Sequence, residues 1–438
     1  MWSYASGRAD SERRIRATPS TRYRLASVSK IVTAVAIMAL VERGAIGLDA
    51  PANRYLGETK ITARVGSADD VTVRRLMSHR GGLPLHYNLL HAGEDLERRS
   101  LDETIARYGQ VMFLPGTVHR YSNIGYGVLE RIIELQSGKS FAWFLDETFF
   151  TPLGMKSAAV LEAAVYPPNT AMPYTRAGDL YPAYDIDTRG AGGLYMTAGD
   201  LARFGRFFSD ALDGKSEILS AQAAHEMLAM QSDDDSDDVE YYTLGWVHEL
   251  RGKNREHDTI YHLGSTPGVR AELWIYPDRD LVVATMVNEM SYRPLYFARE
   301  AILAEYAPDI TFEAKPEVAI PEAVVGRWSG VIDFGPEGEA SVEFDFRESQ
   351  SPKVSIGGRA AAISKAGTMD DGLFQIETSR VPLTTSDASQ QHHSVWFVLA
   401  LSDRRLTGFA AANRITSRLR DSGAFSYWTE LKRVQDGR

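Results

Sequence analysis

A serine three residues ahead of a lysine, at the head of an apolar run, is the first group with chemistry to offer. Ser27 and Lys30 lie in residues 25–30 (LASVSK). Positions i and i+3 share one face of a helix, so the two side chains project together. A serine hydroxyl is a weak nucleophile that needs an adjacent base. Lysine serves as that base only where burial or nearby positive charge brings its pKa down to the working range. The apolar residues 31–41 supply burial, and a helix N-terminus favours negative charge developing on the serine. The plainer alternative is that Ser27 only caps the helix.

Two further groups follow. In Tyr121-Ser122-Asn123 the tyrosine can shuttle protons where a cation lowers its pKa, and Asn123 can hydrogen-bond a substrate amide. The alternative is a turn with Asn123 as helix cap. His262 stands two residues before Gly264, a pattern that suggests an edge strand whose backbone comes close to a ligand. Read alone, it is equally a structural histidine with its bonds satisfied. The acidic run 233–238 (DDDSDD) is either a cation site or a solvated loop; it lacks the glycine and distal glutamate of a calcium-binding loop.

Taken together, Ser-x-x-Lys, Tyr-x-Asn and a basic-x-Gly box in this order resemble the serine β-lactamases and penicillin-binding proteins. The likeness is to the class C and D-aminopeptidase-like branch. It extends over residues 76–84 (LMSHRGGLP), 115–116 (PG), 121–126 (YSNIGY), 152–155 (PLGM) and 192–197 (GGLYMT), and covers about residues 1–300. The resemblance implies a serine hydrolase in which Ser27 is acylated while Lys30 and Tyr121 share the general-base work. His262 would hold the tyrosine or engage the substrate. The backbone N–H groups of Ser27 and Ser265 would form the oxyanion hole, Asn123 and Gly264 would contact substrate, and no metal or other cofactor is required.

Two departures shape the expectation. Many relatives carry lysine where this chain has His262, and histidine is only fractionally charged near neutral pH. A fixed cation for a β-lactam carboxylate is therefore missing, which favours the D-aminopeptidase and esterase relatives. The lead before Ser27 is also short: a strand at 1–7 fits, but the family's preceding helix and strand do not, leaving an exposed sheet edge unless something covers it. The expected activity is cleavage of amide bonds in small peptides containing D-residues. The alternatives are a carboxylesterase, a β-lactamase, a peptide cyclase that transfers the acyl group to an internal amine, and a non-catalytic sensor of acyl ligands. An intact Ser27, Lys30 and Tyr121 set argues against the sensor, which needs neither nucleophile nor base.

The elements that must position these groups are legible from periodicity. Helices are expected over 27–43, closed by Gly44, over 124–137, ended by Gly138, and over 199–212. Strands at 272–276 and 281–287 flank a turn at 277–280 (PDRD) and form an antiparallel hairpin. The expected class is α/β (α+β): a β-lactamase-like antiparallel sheet flanked by helices with a helical subdomain, over residues 1–306. Pro308, Pro316 and Pro321 punctuate a linker at 307–321. Beyond it, Val342, Phe344 and Phe346 alternate with charged residues, and Phe425, Tyr427 and Thr429 alternate again. Residues 322–438 thus read as a small β barrel resembling the lipocalin-like domains of some relatives. Loops 85–110 and 160–190 shape the pocket, with Tyr87, Tyr174, Tyr181 and Tyr184 as candidate lining residues.

Composition narrows the partners. The 438 residues are 44% hydrophobic and 24% charged, ordinary for a soluble globular chain. A net charge of −10, from 48 basic and 58 acidic residues, argues against nucleic acid. The absence of cysteine excludes disulfides, a cysteine nucleophile and thiolate metal sites. No run reaches the roughly 20 apolar residues of a membrane span. Residues 1–20 have no apolar core, so the chain is either cytosolic or exported with a leader that precedes Met1. The expected partner is a small amide or ester substrate, and the oligomeric state stays open.

Overall fold

The computed structural model describes residues 2–93, 98–161, 163–175, 178–231, 240–251, 257–310, 322–347, 353–368, 373–379, 392–402, 404–414 and 423–434. The acidic run 233–238 lies outside them, as does 311–321 of the expected linker.

Helix α1 (Ser29–Glu42) is buried from Ser29 to Leu40. Apolar on every side, it is a central helix rather than a surface one. It packs against α2 (Asn123–Ser137), which Gly138 ends in the left-handed conformation (φ 68°), and against the short helix Arg189–Gly192. The cap of α2 is Ser122, whose hydroxyl accepts from Gly125 N at 3.0 Å, so Asn123 is freed from the capping role considered for it. Helices α3 (Ala198–Leu212) and α4 (Arg293–Tyr306) pack on a five-stranded sheet.

That sheet is an antiparallel meander of β1 (Glu240–Tyr242), β2 (Val247–Arg251), β3 (His257–Thr266), β4 (Val269–Tyr276) and β5 (Leu281–Val287). Strand β2 pairs with β3 only as far as Tyr261. His262 therefore sits not on an outer strand but on the stretch of β3 that has lost its β2 neighbour. The strand expected at 1–7 does not form. Trp2 and Tyr4 are exposed and stack on each other, Gly7 turns the chain at φ 79°, and the first strand is Arg8–Asp10, paired with Ile15–Arg16. Strand β5 has no further strand on its outer edge among the described residues.

After α4 the described residues form eight antiparallel strands: β6 (Arg327–Asp333), β7 (Glu339–Asp345), β8 (Lys353–Ile356), β9 (Arg359–Thr368), β10 (Phe374–Ser379), β11 (His392–Ser402), β12 (Arg405–Arg414) and β13 (Gly423–Arg433). Pairing of β6 with β13 closes them into a lipocalin-like barrel. The two-residue period sorts its side chains. Phe397 and Leu399 face the interior, where Phe397 meets Phe344 at 5.2 Å, while Val398 faces outward. That outer face carries Val398, Phe409 and Ala411 and packs on Met112 and Phe113 of the first part of the chain. The barrel wall is continuous with it: β13 pairs with Tyr87–His91 through Gly423 opposite Asn88 and Ala424 opposite Tyr87, and Tyr87–His91 pairs in turn with Tyr184–Ile186. Two of the loops expected to shape the pocket thus contain strands, and Tyr174, Tyr181 and Tyr184 are buried.

Candidate active site

Ser27 occupies a single 3-10 turn, Ala26–Val28, immediately ahead of α1. Ala26 is held at φ 49°, the left-handed region that costs a residue with a Cβ about 1–2 kcal/mol. Arg24 anchors the approach to this turn. It is buried, donates to the Tyr195 hydroxyl and the Tyr184 carbonyl, both at 2.8 Å, and lies 4.1 Å over the Tyr184 ring. Ser27 itself is half-buried, whereas its neighbours Ala26, Val28 and Ser29 are fully enclosed.

Lys30 is completely buried, and its Nζ meets three oxygens: Asn123 Oδ1 at 2.6 Å, Ala191 O at 2.9 Å and Ser27 Oγ at 3.2 Å. Burial pushes its pKa well below the ordinary lysine value. A neutral amine has two N–H groups and one lone pair. The amide and peptide oxygens can only accept, so they take the two N–H groups. Toward Ser27 the amine donates to Oγ while charged, and once deprotonated its lone pair would accept from the Ser27 hydroxyl. Desolvation lowers the Lys30 pKa, and the geometry sets its Nζ within hydrogen-bond reach of Ser27.

Tyr121 lies on the other side of this pair, with Lys30 Nζ 4.7 Å from its ring centre. Burial raises its hydroxyl above the usual tyrosine value, and a hydrogen bond with Ser27 opposes that rise. The expectation that a cation would depress Tyr121 is not met, because burial outweighs the lowering influence of Ser27. The residue stands as a phenol able to donate and relay a proton.

His262 is buried, and its pKa is pulled down to about 3, first by burial and then by Lys30. It is a neutral imidazole rather than the fractionally charged one expected. Its Nδ1 lies 2.7 Å from Leu263 O, an acceptor, so that nitrogen carries the proton. Its Nε2 therefore accepts from the Tyr242 hydroxyl at 3.0 Å. Tyr242 escaped sequence reasoning, as did His79, whose ring lies 4.2 Å from Tyr121 and 4.5 Å from Tyr242. Both sit in motifs visible in the sequence, at 241–246 (YYTLGW) and 76–84, but ring contacts across separate elements leave no local periodic signal. His79 Nδ1 accepts from Ser122 N at 3.1 Å, which fixes the start of α2 against this aromatic group.

Gly264 and Ser265 follow on β3. A Cβ on Gly264 would lie 2.2 Å from Leu25 O and 3.3 Å from Ala26 Cβ, so only glycine lets this strand reach the nucleophile turn. Ser265 is exposed beside that contact. The Tyr292 hydroxyl donates to Gly264 O at 3.0 Å and borders the same opening. Ser27, Lys30, Tyr121, Asn123, His262, Gly264 and Ser265 are thus gathered at one junction between α1, α2 and β3. Among the described residues no group of three or more His, Asp or Glu side chains is arranged to hold a metal.

A fold of this kind brings a serine hydroxyl and a fully buried lysine amine together at the head of its central helix. Comparison with known proteins agrees: the family profile described as Beta-lactamase matches residues 1–307. The chain belongs to the β-lactamase family of serine hydrolases. It is 30% identical over 286 residues to penicillin-binding protein 4 of Amycolatopsis lactamdurans, covering 62% of this chain and 73% of that one. It is 34% identical over 188 residues to esterase EstB of Burkholderia gladioli, covering 40% of this chain and 47% of the esterase. The crystal structure of SurE with D-Leu superposes with a TM-score of 0.63 at 21% identity, over 98% of this chain and 92% of that one, barrel included. No helix among the described residues is long and apolar enough to cross a membrane.

Proposed function

We propose that this chain cleaves the amide bonds of small peptides containing D-residues, through an acyl-enzyme on Ser27. Ser27 Oγ attacks the carbonyl carbon while its proton passes to Lys30 Nζ. The backbone N–H groups of Ser27 and Ser265 take the negative charge that develops on the carbonyl oxygen. As the C–N bond breaks, the proton reaches the leaving amine through the Tyr121 hydroxyl. Water then repeats the sequence on the ester, releasing the acid and restoring Ser27. Asn123, with Oδ1 committed to Lys30, keeps Nδ2 for a substrate carbonyl. The observation that carries this reading is a fully buried Lys30, its pKa pulled well below the ordinary lysine value, with Nζ 3.2 Å from Ser27 Oγ.

A second reading, carboxylesterase, has its own support. His262 is neutral and bonded to Tyr242, so it offers no fixed cation to a free carboxylate, and the esterase likeness reaches 34% identity. The same neutrality disfavours a β-lactamase. Intact-mass spectrometry with a fluorophosphonate probe tests the shared chemistry: the wild type gains one adduct, Ser27→Ala none, and Lys30→Ala labels at a small fraction of the wild-type rate. Equal labelling of Ser27→Ala refutes it. Parallel turnover of D-aminoacyl amides, p-nitrophenyl esters and a chromogenic cephalosporin separates the substrates. Rapid cephalosporin hydrolysis with inert amides would reverse the ordering.

A further inference from the structure

The two oxygens that fix Lys30 belong to separate segments, and both segments are tied to one buried pair. His86 is fully enclosed, stacked on Tyr108 at 3.8 Å and 16°, and its Nε2 lies 2.8 Å from Asp187 Oδ2. Asp187 accepts from Asn88 N through its other oxygen at 2.9 Å, and its own backbone N–H donates to Asn88 O at 3.1 Å. Segment 86–88 and Asp187 are therefore cross-linked three times.

Each side of this cross-link leads to Lys30. The residue before His86, Leu85, accepts from Asn123 N at 2.8 Å, and Pro84 O accepts from the Ser122 hydroxyl at 2.6 Å, so segment 84–88 sets the start of α2 and with it Asn123. On the other side, Asp187 leads into the helix Arg189–Gly192, whose Ala191 carbonyl takes the second lysine N–H. The barrel holds the same segment from behind. Its last strand pairs with Tyr87 and Asn88, its Ser426 hydroxyl accepts from His86 N at 3.3 Å, and its Phe425 abuts the His86 ring.

We propose that the buried His86–Asp187 pair is the positioning element through which the barrel fixes the Lys30 end of the active site. The pair touches neither Ser27 nor any substrate. It acts by keeping Asn123 Oδ1 and Ala191 O at the separation that orients the lysine lone pair. Losing the carboxylate leaves Asn88 N and the imidazole N–H without acceptors in a dry site, and the two segments part to admit water. A misplacement of about 1 Å can cost on the order of 100-fold in rate without touching the chemistry.

The inference rests on the acyl-enzyme reading, and the test separates the two. On full-length protein, the second-order rate of fluorophosphonate labelling is measured per folded molecule, with kcat and KM on a p-nitrophenyl ester and the melting temperature alongside. Asp187→Ala is expected to lower labelling and kcat about 30- to 100-fold with KM little changed. Asp187→Asn, which keeps an acceptor for Asn88 N, should recover to within about 5-fold of wild type. Phe397→Leu in the barrel interior should lower the melting temperature and leave the rate per folded molecule intact. If Asp187→Ala does not fold, His86→Gln is expected to lose about 10-fold in labelling. A lower melting temperature with wild-type labelling, in either variant, overturns the inference while the acyl-enzyme reading stands. A wild-type chain that takes no label overturns both.

Discussion

Replacing Gly264 by alanine tests the geometry of the site at its tightest point. The added Cβ would fall 2.2 Å from Leu25 O, a backbone atom with no rotamer in which to retreat. Carbon–oxygen contacts settle at about 3.3 Å, so β3 must withdraw from the 25–28 turn by about 1 Å. Ser265 N–H rides on β3 and Ser27 N–H on the turn. An oxyanion donor works at about 2.7–3.1 Å, and retreat by about 1 Å takes one of the two out of range. Losing one donor costs about 2.7–4 kcal/mol of transition-state stabilisation, or 100- to 1,000-fold in kcat. KM should change little, because the ground-state carbonyl hardly uses the donors. Stopped-flow acylation with a p-nitrophenyl ester, with active sites counted from the burst, reads the rate per competent molecule. Gly205→Ala in α3 is the control. Its Cβ would meet only the ends of the Val282 and Leu273 side chains, so stability responds while the acylation rate holds. A Gly264→Ala enzyme acylating within about 3-fold of wild type would refute the reasoning, since a lost donor costs at least about 100-fold.

Tyr242→Phe removes the hydroxyl that donates to His262 Nε2. A buried acceptor left unpaired costs about 1–3 kcal/mol, so chemical denaturation should show a loss of that size; unchanged stability would mean the bond contributes nothing. Glu130 is buried on α2, accepts from Gly190 N at 2.8 Å, and is pushed up to about 8 by burial. A carboxyl whose folded pKa exceeds its unfolded one makes the native state hold the extra proton, so its contribution to stability falls as pH rises from about 4.5 to 8, by at most about 5 kcal/mol. Glu130→Gln should flatten this decline in urea unfolding measured across that range. A variant as pH-dependent as the wild type would assign the slope to other groups.

Local patterns showed more than long-range ones. The all-apolar run after Lys30 announces a buried helix, Gly138 marks its partner's end, and Val342, Phe344 and Phe346 alternate because a barrel strand hides every second residue. The Ser27–Lys30 spacing is legible for the same reason, being a single turn of chain. What encloses Lys30, and so depresses its pKa, is not local. Its second acceptor is a backbone carbonyl 161 residues away, and a carbonyl carries no residue type for a motif to display. The state of His262 was likewise hidden, since residue identity fixes an ordinary pKa and only the surroundings move it. A strand at 1–7 is expected from the family's layout, yet residues 2–7 pair with no strand among the described residues.

Strand β13 borders both the barrel and the segment that carries His86, and it is the last strand among the described residues. The bond between His86 and Ser426 spans 340 residues, so it can close only after those 340 residues have been made. At about 5–20 residues per second, the ribosome takes tens of seconds to travel from one partner to the other. Through that interval a nascent chain can already hold Ser27, Lys30 and the rest of the reactive group, yet lack the strand that completes their support. Synthesis itself therefore delays the full site until β13 has emerged, and a chain that stops short of Gly423 lacks that strand.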